Sequence, residues 1–286
     1  MQIQEIKNPF NAPVYHEETV SSTMDVAREL ARLGENHGTV ISADFQEAGR
    51  GRSRRPWLAD RGKSLLFTLL LRYKNISSVP EALTLKTGLA LSLAIEDLAP
   101  ALAGRVKVKW PNDIMIAACK AEAACKAEAA CKAEAACKAA GILTETDGGT
   151  VLVGVGVNIF QNEFPEEYCR KAGSLIQFSS DLTETAAGSR QESSFSPINT
   201  RFALLEHILS RLYTEIETHS AGPWRERLLE RLYKKGETVT FAEGPAESNY
   251  LTEGILTGIG TAGELLIVPA GEQKERAFVA GELKIY

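Results

Sequence analysis

The chain has 286 residues, 44% of them hydrophobic and 24% charged, which suits one large core with a small one beside it. A net charge of −5 argues against wholesale nucleic-acid binding, which wants a basic face. Positive charge gathers instead in residues 50–61, a distribution suited to a small anionic ligand.

The opening MQIQEIKNPFNAPVYHEE has no apolar signal core, and nowhere do about 18 apolar residues run together. A soluble, cytoplasmic protein with no membrane contact is expected. Four of the five cysteines recur at a spacing of six, unlike a zinc site or a disulfide framework, so all five read as free thiols.

Residues 22–38, STMDVARELARLGENHG, predict a helix, with Ser22 or Thr23 as N-cap, Asp25 in the first turn and Gly34 as the stop. TVISADFQ alternates as a strand, and residues 47–63, rich in Gly and Arg, form a long loop. SLLFTLLLRY is a buried strand and residues 82–99 an apolar-faced helix. RVKVKW, GILTET and TVLVGVGVNIF supply three more strands. The polar stretch 179–200 reads as a surface loop, and residues 201–220 and 224–235 as two amphipathic helices. From Lys235 onward, short strands separated by glycine-bearing turns describe a small β-barrel. The expected organisation is therefore an α+β (α/β) domain over residues 1–234 and a barrel over residues 235–286.

Residues 117–140 are four near-copies of the hexad AACKAE. Ala, Glu and Lys are strong helix formers, and each Glu lies four residues before a Lys, so composition predicts a helix. Successive cysteines then rotate around it and make no metal face. The reading is a looped-out expansion over about residues 117–134.

Four constellations carry chemistry. In QEAGRGRSRRPW, residues 46–57, glycines allow close backbone approach, guanidiniums offer planar donors for phosphate or carboxylate, and Trp57 can cover an aromatic ring. KVKWPND places Asn112 and Asp113 just beyond a strand end, a pair that could also be an ordinary turn. KAAGILTE puts Lys138 ahead of a strand, and GVGVN puts Asn158 beside glycines. No Walker motif is present, and Gly154 and Gly156 lack the third glycine of a dinucleotide fingerprint.

Together these motifs resemble the biotin protein ligases, the form without an N-terminal DNA-binding domain. Ser-Thr opening a helix, GRGRxxRxW, KWPND, KxAGIL and GxGxN occur in that family's order from Ser22 to Asn158. FVAGEL near the end resembles its C-terminal SH3-like domain. The resemblance implies a class II aminoacyl-tRNA-synthetase/biotin-ligase-like catalytic domain with a central mixed sheet and helices. It further implies activation of biotin by ATP as biotinyl-AMP and transfer to a lysine of a biotin carboxyl carrier protein.

By the same resemblance, Ser22, Thr23, Met24, Gln46, Gly49, Arg50, Gly51, Arg52, Lys138, Gly141 and Gly156 correspond to biotin-binding positions. Arg52, Arg55, Trp57, Asn112 and Asn158 correspond to adenylate-side positions. Lys138 and Arg50 are expected to stabilise charge in the reaction. Mg²⁺ is expected through the phosphates, with Asp113 as a candidate ligand. No DNA-binding role is expected, and the family allows a homodimer paired through sheet edges.

Met24 replaces a frequent Asn, and Arg54 a frequent Gly. Of the repeat lysines only Lys138 precedes AAG. The alternatives are a lipoate ligase or octanoyltransferase on the same fold, or a binding module disrupted by the repeat.

Overall fold

The computed structural model describes residues 1–117, 136–168, 171–179, 182, 197–218, 223–244 and 250–284. Its larger sheet has eight strands in the order β1-β2-β3-β4-β8-β7-β6-β5. They are β1 (Gln2–Ile3), β2 (Val14–Val20), β3 (Thr39–Gln46), β4 (Ser64–Arg72), β5 (Val106–Lys109), β6 (Asp113–Ala117), β7 (Ala136–Asp147) and β8 (Thr150–Asn158). β2 and β3 run parallel and the other neighbours antiparallel, giving the expected mixed sheet.

The centre is β4, β8 and β7. SLLFTLLLR is buried along nearly its whole length, so both faces of β4 are covered. On one face lie α2 (Leu83–Leu98), α3 (Pro197–Ile216) and α4 (Trp224–Arg231), whose leucines share a core with Phe67, Leu69, Val153 and Val155. On the other, α1 (Thr23–Arg32) packs Met24, Ala27 and Leu30 against Ile41, Leu70 and Leu152. α1 stops at Gly34, whose φ of +91° suits a residue without Cβ, while Glu35 N–H caps the Leu30 carbonyl.

A second, wholly antiparallel sheet comprises β9 (Thr238–Glu243), β10 (Leu251–Ile259), β11 (Leu265–Pro269), β12 (Arg276–Phe278) and β13 (Gly281–Leu283). Its order, β12-β11-β10-β9-β13, is consistent with the expected SH3-like domain. Phe241, Leu256, Ile267 and Phe278 join the main core, and Trp110 Nε1–H donates to the Gly263 carbonyl at 2.9 Å. The small sheet is thus seated against the end of β5, beside the turn that carries Asn112 and Asp113.

Two sequence expectations change. α3 begins at Pro197, inside the stretch read as loop. The described residues of the last hexad are not helical: Ala136–Asp147 is strand β7, held by β6 on one side and β8 on the other. The small helix preference of alanine yields to hydrogen bonding on both edges. Ala117, the first residue of the repeat, closes β6, and residues 118–135 lie outside the described residues.

Candidate functional site

The ends of β3, β6, β7 and β8, the loop after β3 and the edge of β13 enclose a cavity of about 1140 Å³. It is lined by all but one of the residues that the motifs single out. Gly49 is the exception. It stands behind the wall, its carbonyl accepts the Trp57 N–H at 2.9 Å, and a Cβ there would lie 2.8 Å from the Trp57 carbonyl.

One end of the cavity is a buried hydrogen-bond chain. Gln46 Oε1 accepts from the Thr23 backbone N–H at 2.8 Å and from its hydroxyl at 3.0 Å. Thr68 on β4 donates to Thr23 Oγ1 at 2.9 Å. Spending the Gln46 carbonyl in this way fixes the amide's orientation and turns its NH2 end elsewhere. Ser22 is buried beside them and caps α1 through its backbone, leaving its hydroxyl out of the helix's hydrogen bonding. Met24 lies beneath, close enough to Gly154 that a Cβ there would meet its sulfur at 2.7 Å.

The floor is made by glycine. A methyl on Gly156 would fall 2.5 Å from Trp57 Cε2, and one on Gly141 would fall 3.0 Å from Trp57 Cζ3. The Trp57 indole therefore lies close against the two central strands, where a side chain at Gly156 would meet it. Its Nε1–H is buried without a partner, as is Asn158 Oδ1, while Asn158 Nδ2 donates to the Gly173 carbonyl at 3.3 Å. A buried donor and a buried acceptor facing one cavity are groups a polar ligand would satisfy.

Lys138 owes its direction to a β-bulge. Ile114 pairs with Ala140 but the next residue, Met115, pairs with Lys138, so Ala139 is the extra residue on β7. Strict alternation would send Lys138 and Gly141 to opposite faces. The bulge turns Lys138 onto the Gly141 face and leaves consecutive Ala139 and Ala140 both in the core. The strand is also clamped from outside, since Lys138 N–H donates to Lys171 and its carbonyl accepts from Gly173. Lys138 Nζ comes 2.7 Å from Asp113 Oδ1 and 5.6 Å from the Trp57 ring centroid.

Asp113 also lies 3.6 Å from Lys109 Nζ. Burial alone would raise its carboxyl, but Lys138 and Lys109 outweigh that and hold it below the usual range. The carboxylate of Asp113, the candidate Mg²⁺ ligand, is thus engaged by two ammonium groups. Among the described residues no three His, Cys, Asp or Glu side chains cluster to hold a metal.

Arg50 is likewise engaged by a carboxylate. It lines the cavity, yet its guanidinium grips both oxygens of Asp25 on α1, at 2.6 and 3.1 Å, with Arg28 on the same carboxylate at 2.7 Å. The Arg50 hydrogen bond is the main cause that lowers the Asp25 carboxyl. Arg52 bridges Asn112 Oδ1 at 3.2 Å and the Gly281 carbonyl at 3.3 Å, and Arg55 pairs with Glu282. Ser53 and Arg54 both take positive φ, 55° and 57°, the conformation a glycine at the second position would adopt without strain.

Sequence reasoning missed several contributors. Lys109 sits within the KWPND motif but was passed over for its neighbours. Thr68 is one polar residue in an apolar strand, with no local signal. The wall formed by Gln161, Glu163, Phe164, Tyr168 and Lys171 has no periodicity to mark it.

The biotin/lipoate A/B protein ligase family profile matches residues 17–162. Over 220 residues, 73% of this chain, it is 31% identical to the bifunctional ligase/repressor BirA of Bacillus subtilis, and the match spans 56% of that protein. It is 29% identical to the biotin–[acetyl-CoA-carboxylase] ligase of Paracoccus denitrificans over 82% of this chain and 85% of the relative. Among solved structures, the biotin protein ligase of Aquifex aeolicus in complex with biotin and ATP shares the fold. It superposes with a TM-score of 0.68 over 95% of this chain and 97% of that one, at 23% identity. No described helix is long and apolar enough to cross a membrane. The matched segment takes in every cavity strand of the larger sheet and just over half the sequence, and the chain belongs to the biotin/lipoate A/B protein ligase family.

Proposed function

We propose that this chain is an ATP-dependent biotin protein ligase. It joins biotin to AMP as biotinyl-5′-AMP with release of pyrophosphate, then passes the biotinyl group to a lysine of a biotin carboxyl carrier protein. The observation that carries this reading is Lys138, aimed by the bulge onto a glycine floor with the Thr23–Gln46 chain and Trp57 beside it.

Each part of the cavity has a use in that chemistry. Gln46, Thr23 and Ser22 offer donors and acceptors matched to the ureido ring of biotin, whose two N–H groups and one carbonyl need both. Gly156, Gly141 and Met24 form an apolar slot for the ring and valeryl chain. A biotin carboxylate oxygen then forms a bond to the α-phosphorus of ATP as the bond to pyrophosphate breaks. Lys138, which rests on Asp113, is the cation beside the carboxylate and α-phosphate, where charge develops. Mg²⁺ would come with the nucleotide phosphates, and among the described residues no cluster of three His, Cys, Asp or Glu side chains would hold it. Arg52, Asn112 and Asn158 face the nucleotide side, and the loop carrying Arg52 to Trp57 keeps water from the anhydride. In the second half, the carrier lysine amine attacks the acyl carbon and AMP leaves.

We place the boundary between catalytic and C-terminal domains at residues 234–235, where Lys234 and Gly236 turn the chain with φ of 62° and 81°. We place the protein in the cytoplasm, because the spacing of its cysteines matches no disulfide framework. The second reading, lipoate as substrate, is favoured only by the breadth of the family. The polar Gln46–Thr23 end argues against it, because a dithiolane ring has no N–H or C=O to pair there. Thermal unfolding with saturating biotin and, separately, lipoate tests the choice. At about one hundred times Kd a bound ligand adds roughly 2.7 kcal/mol. Biotin is expected to raise the midpoint, and stabilisation by lipoate alone would reverse the assignment.

A further inference from the structure

Lys109 closes β5 with only 3% of its side chain exposed, and the adenylation chemistry above does not use it. Burying an ammonium group is costly unless an anion accompanies it. Among the described residues its ion-pair partner is Asp113, at 3.6 Å, and that carboxylate is already held by Lys138 at 2.7 Å. Two cations share one anion, and the closer bond belongs to the residue that must move. Burial pulls the Lys109 ammonium below the usual lysine range, and the carboxylates of Asp113 and, more weakly, Glu282 offset this only in part.

Lys138 cannot stay on Asp113 and also follow a new bond between carboxylate and phosphate. Were it to turn away with no other cation at hand, Asp113 would remain as a lone carboxylate, only 14% exposed. Lys109, 3.6 Å from the other carboxylate oxygen, is the cation placed to compensate it. The two lysines approach different oxygens of the carboxylate, so neither blocks the other.

We propose that Lys109 is a positioning residue for the adenylation step, taking over Asp113 when Lys138 turns to the oxygens of the ligand. The inference rests on the ligase reading above. It means that the KWPND lysine acts through Asp113 and sets how readily Lys138 is released.

The test measures biotinyl-AMP formation, with separate kcat and KM, in the full chain and in Lys109→Met, Lys109→Arg, Asp113→Asn and Lys109→Met/Asp113→Asn. Lys109→Met is expected to lower kcat about tenfold or more while the biotin KM stays within about twofold, since Lys138 becomes the sole counter-ion of Asp113. Lys109→Arg restores most of the rate. In the Asp113→Asn background the same methionine substitution costs less than about threefold, because no anion holds Lys138 back. Equal losses in both backgrounds would overturn the proposal in favour of a direct ligand contact, and so would a Lys109→Met enzyme with unchanged kcat. Unfolding midpoints are read for every variant, and Lys109→Gln replaces the methionine if that protein does not fold. A wild-type chain that forms no biotinyl-AMP would overturn both this proposal and the ligase reading, whereas an active wild type with equal losses overturns only this one.

Discussion

Arg55, on the loop after β3, donates to both carboxylate oxygens of Glu282 on β13, at 3.1 and 3.0 Å. With Arg52 on the neighbouring Gly281 carbonyl, this pair ties the arginine loop to the small sheet. An exposed ion pair of this kind contributes about 0.2–1 kcal/mol, too little to matter for folding. Its effect should appear in retention of the intermediate. Glu282→Gln is expected to move the unfolding midpoint little but speed escape of biotinyl-AMP several-fold, followed by rapid filtration of the preloaded enzyme. Retention equal to wild type would show that the tie does not hold the loop.

Gly156 and Trp57 occupy each other's space. A methyl at position 156 would sit 2.5 Å from Trp57 Cε2, so the indole must leave its seat. Gly156→Ala should shift the tryptophan emission and weaken biotin binding about tenfold, equivalent to roughly 1.4 kcal/mol. Calorimetry measures the second effect. An alanine enzyme with native emission and native affinity would mean that the floor is not where ring and ligand meet.

Thr68 is fully buried, and its hydroxyl reaches Thr23 rather than the cavity. Thr68→Val keeps the shape and removes one donor, at an expected cost of about 1 kcal/mol in stability. Because Thr23 in turn donates to Gln46, biotin affinity should fall as well. ATP affinity should not. Titrations with each ligand separate the two, and an equal loss for both would point to general loosening.

His16 supplies a pH dependence remote from the cavity. Burial lowers its pKa, with the Asp44 carboxylate opposing and Arg201 assisting. The unfolded chain, with an ordinary histidine near about 6.5, takes up a proton that the folded chain refuses. Stability should therefore be complete above about pH 6.5 and fall as pH drops from there toward the depressed folded value, by at most about 1.4 kcal/mol per unit. Urea midpoints at neutral and mildly acid pH check this. His16→Gln should flatten the slope in that window, and an unchanged slope would exclude His16 as its source.

The cavity's chemistry was legible where its residues sit together in the chain. GRGRSRRPW, WPND and GVGVN each place loop or strand-end residues at the opening, because a strand delivers its last residues to one end of the sheet. Contacts that depend on distant pairing were not legible. The parallel partnership of β2 with β3, the engagement of Arg50 by Asp25 and the sharing of Asp113 by two lysines exist only once the sheet is assembled. The repeat misled for a physical reason: its composition favours helix, yet Ala136 to Ala140 are drawn into β7 by neighbours on both sides. The paired alanines of KAAG did hold a clue, since two adjacent small residues allow the bulge that turns Lys138 inward.

The most direct measurement is mass spectrometry for biotinyl-AMP after incubation of the chain with biotin, ATP and Mg²⁺, beside Lys138→Ala. The wild type should yield the adenylate and stoichiometric pyrophosphate. The alanine enzyme should lose about 2.7–4 kcal/mol of transition-state stabilisation, or roughly a hundred- to thousandfold in rate, as removal of a charge-stabilising donor typically costs. A wild type that binds biotin yet makes no adenylate, or a Lys138→Ala enzyme as fast as wild type, would contradict the assignment of this cavity.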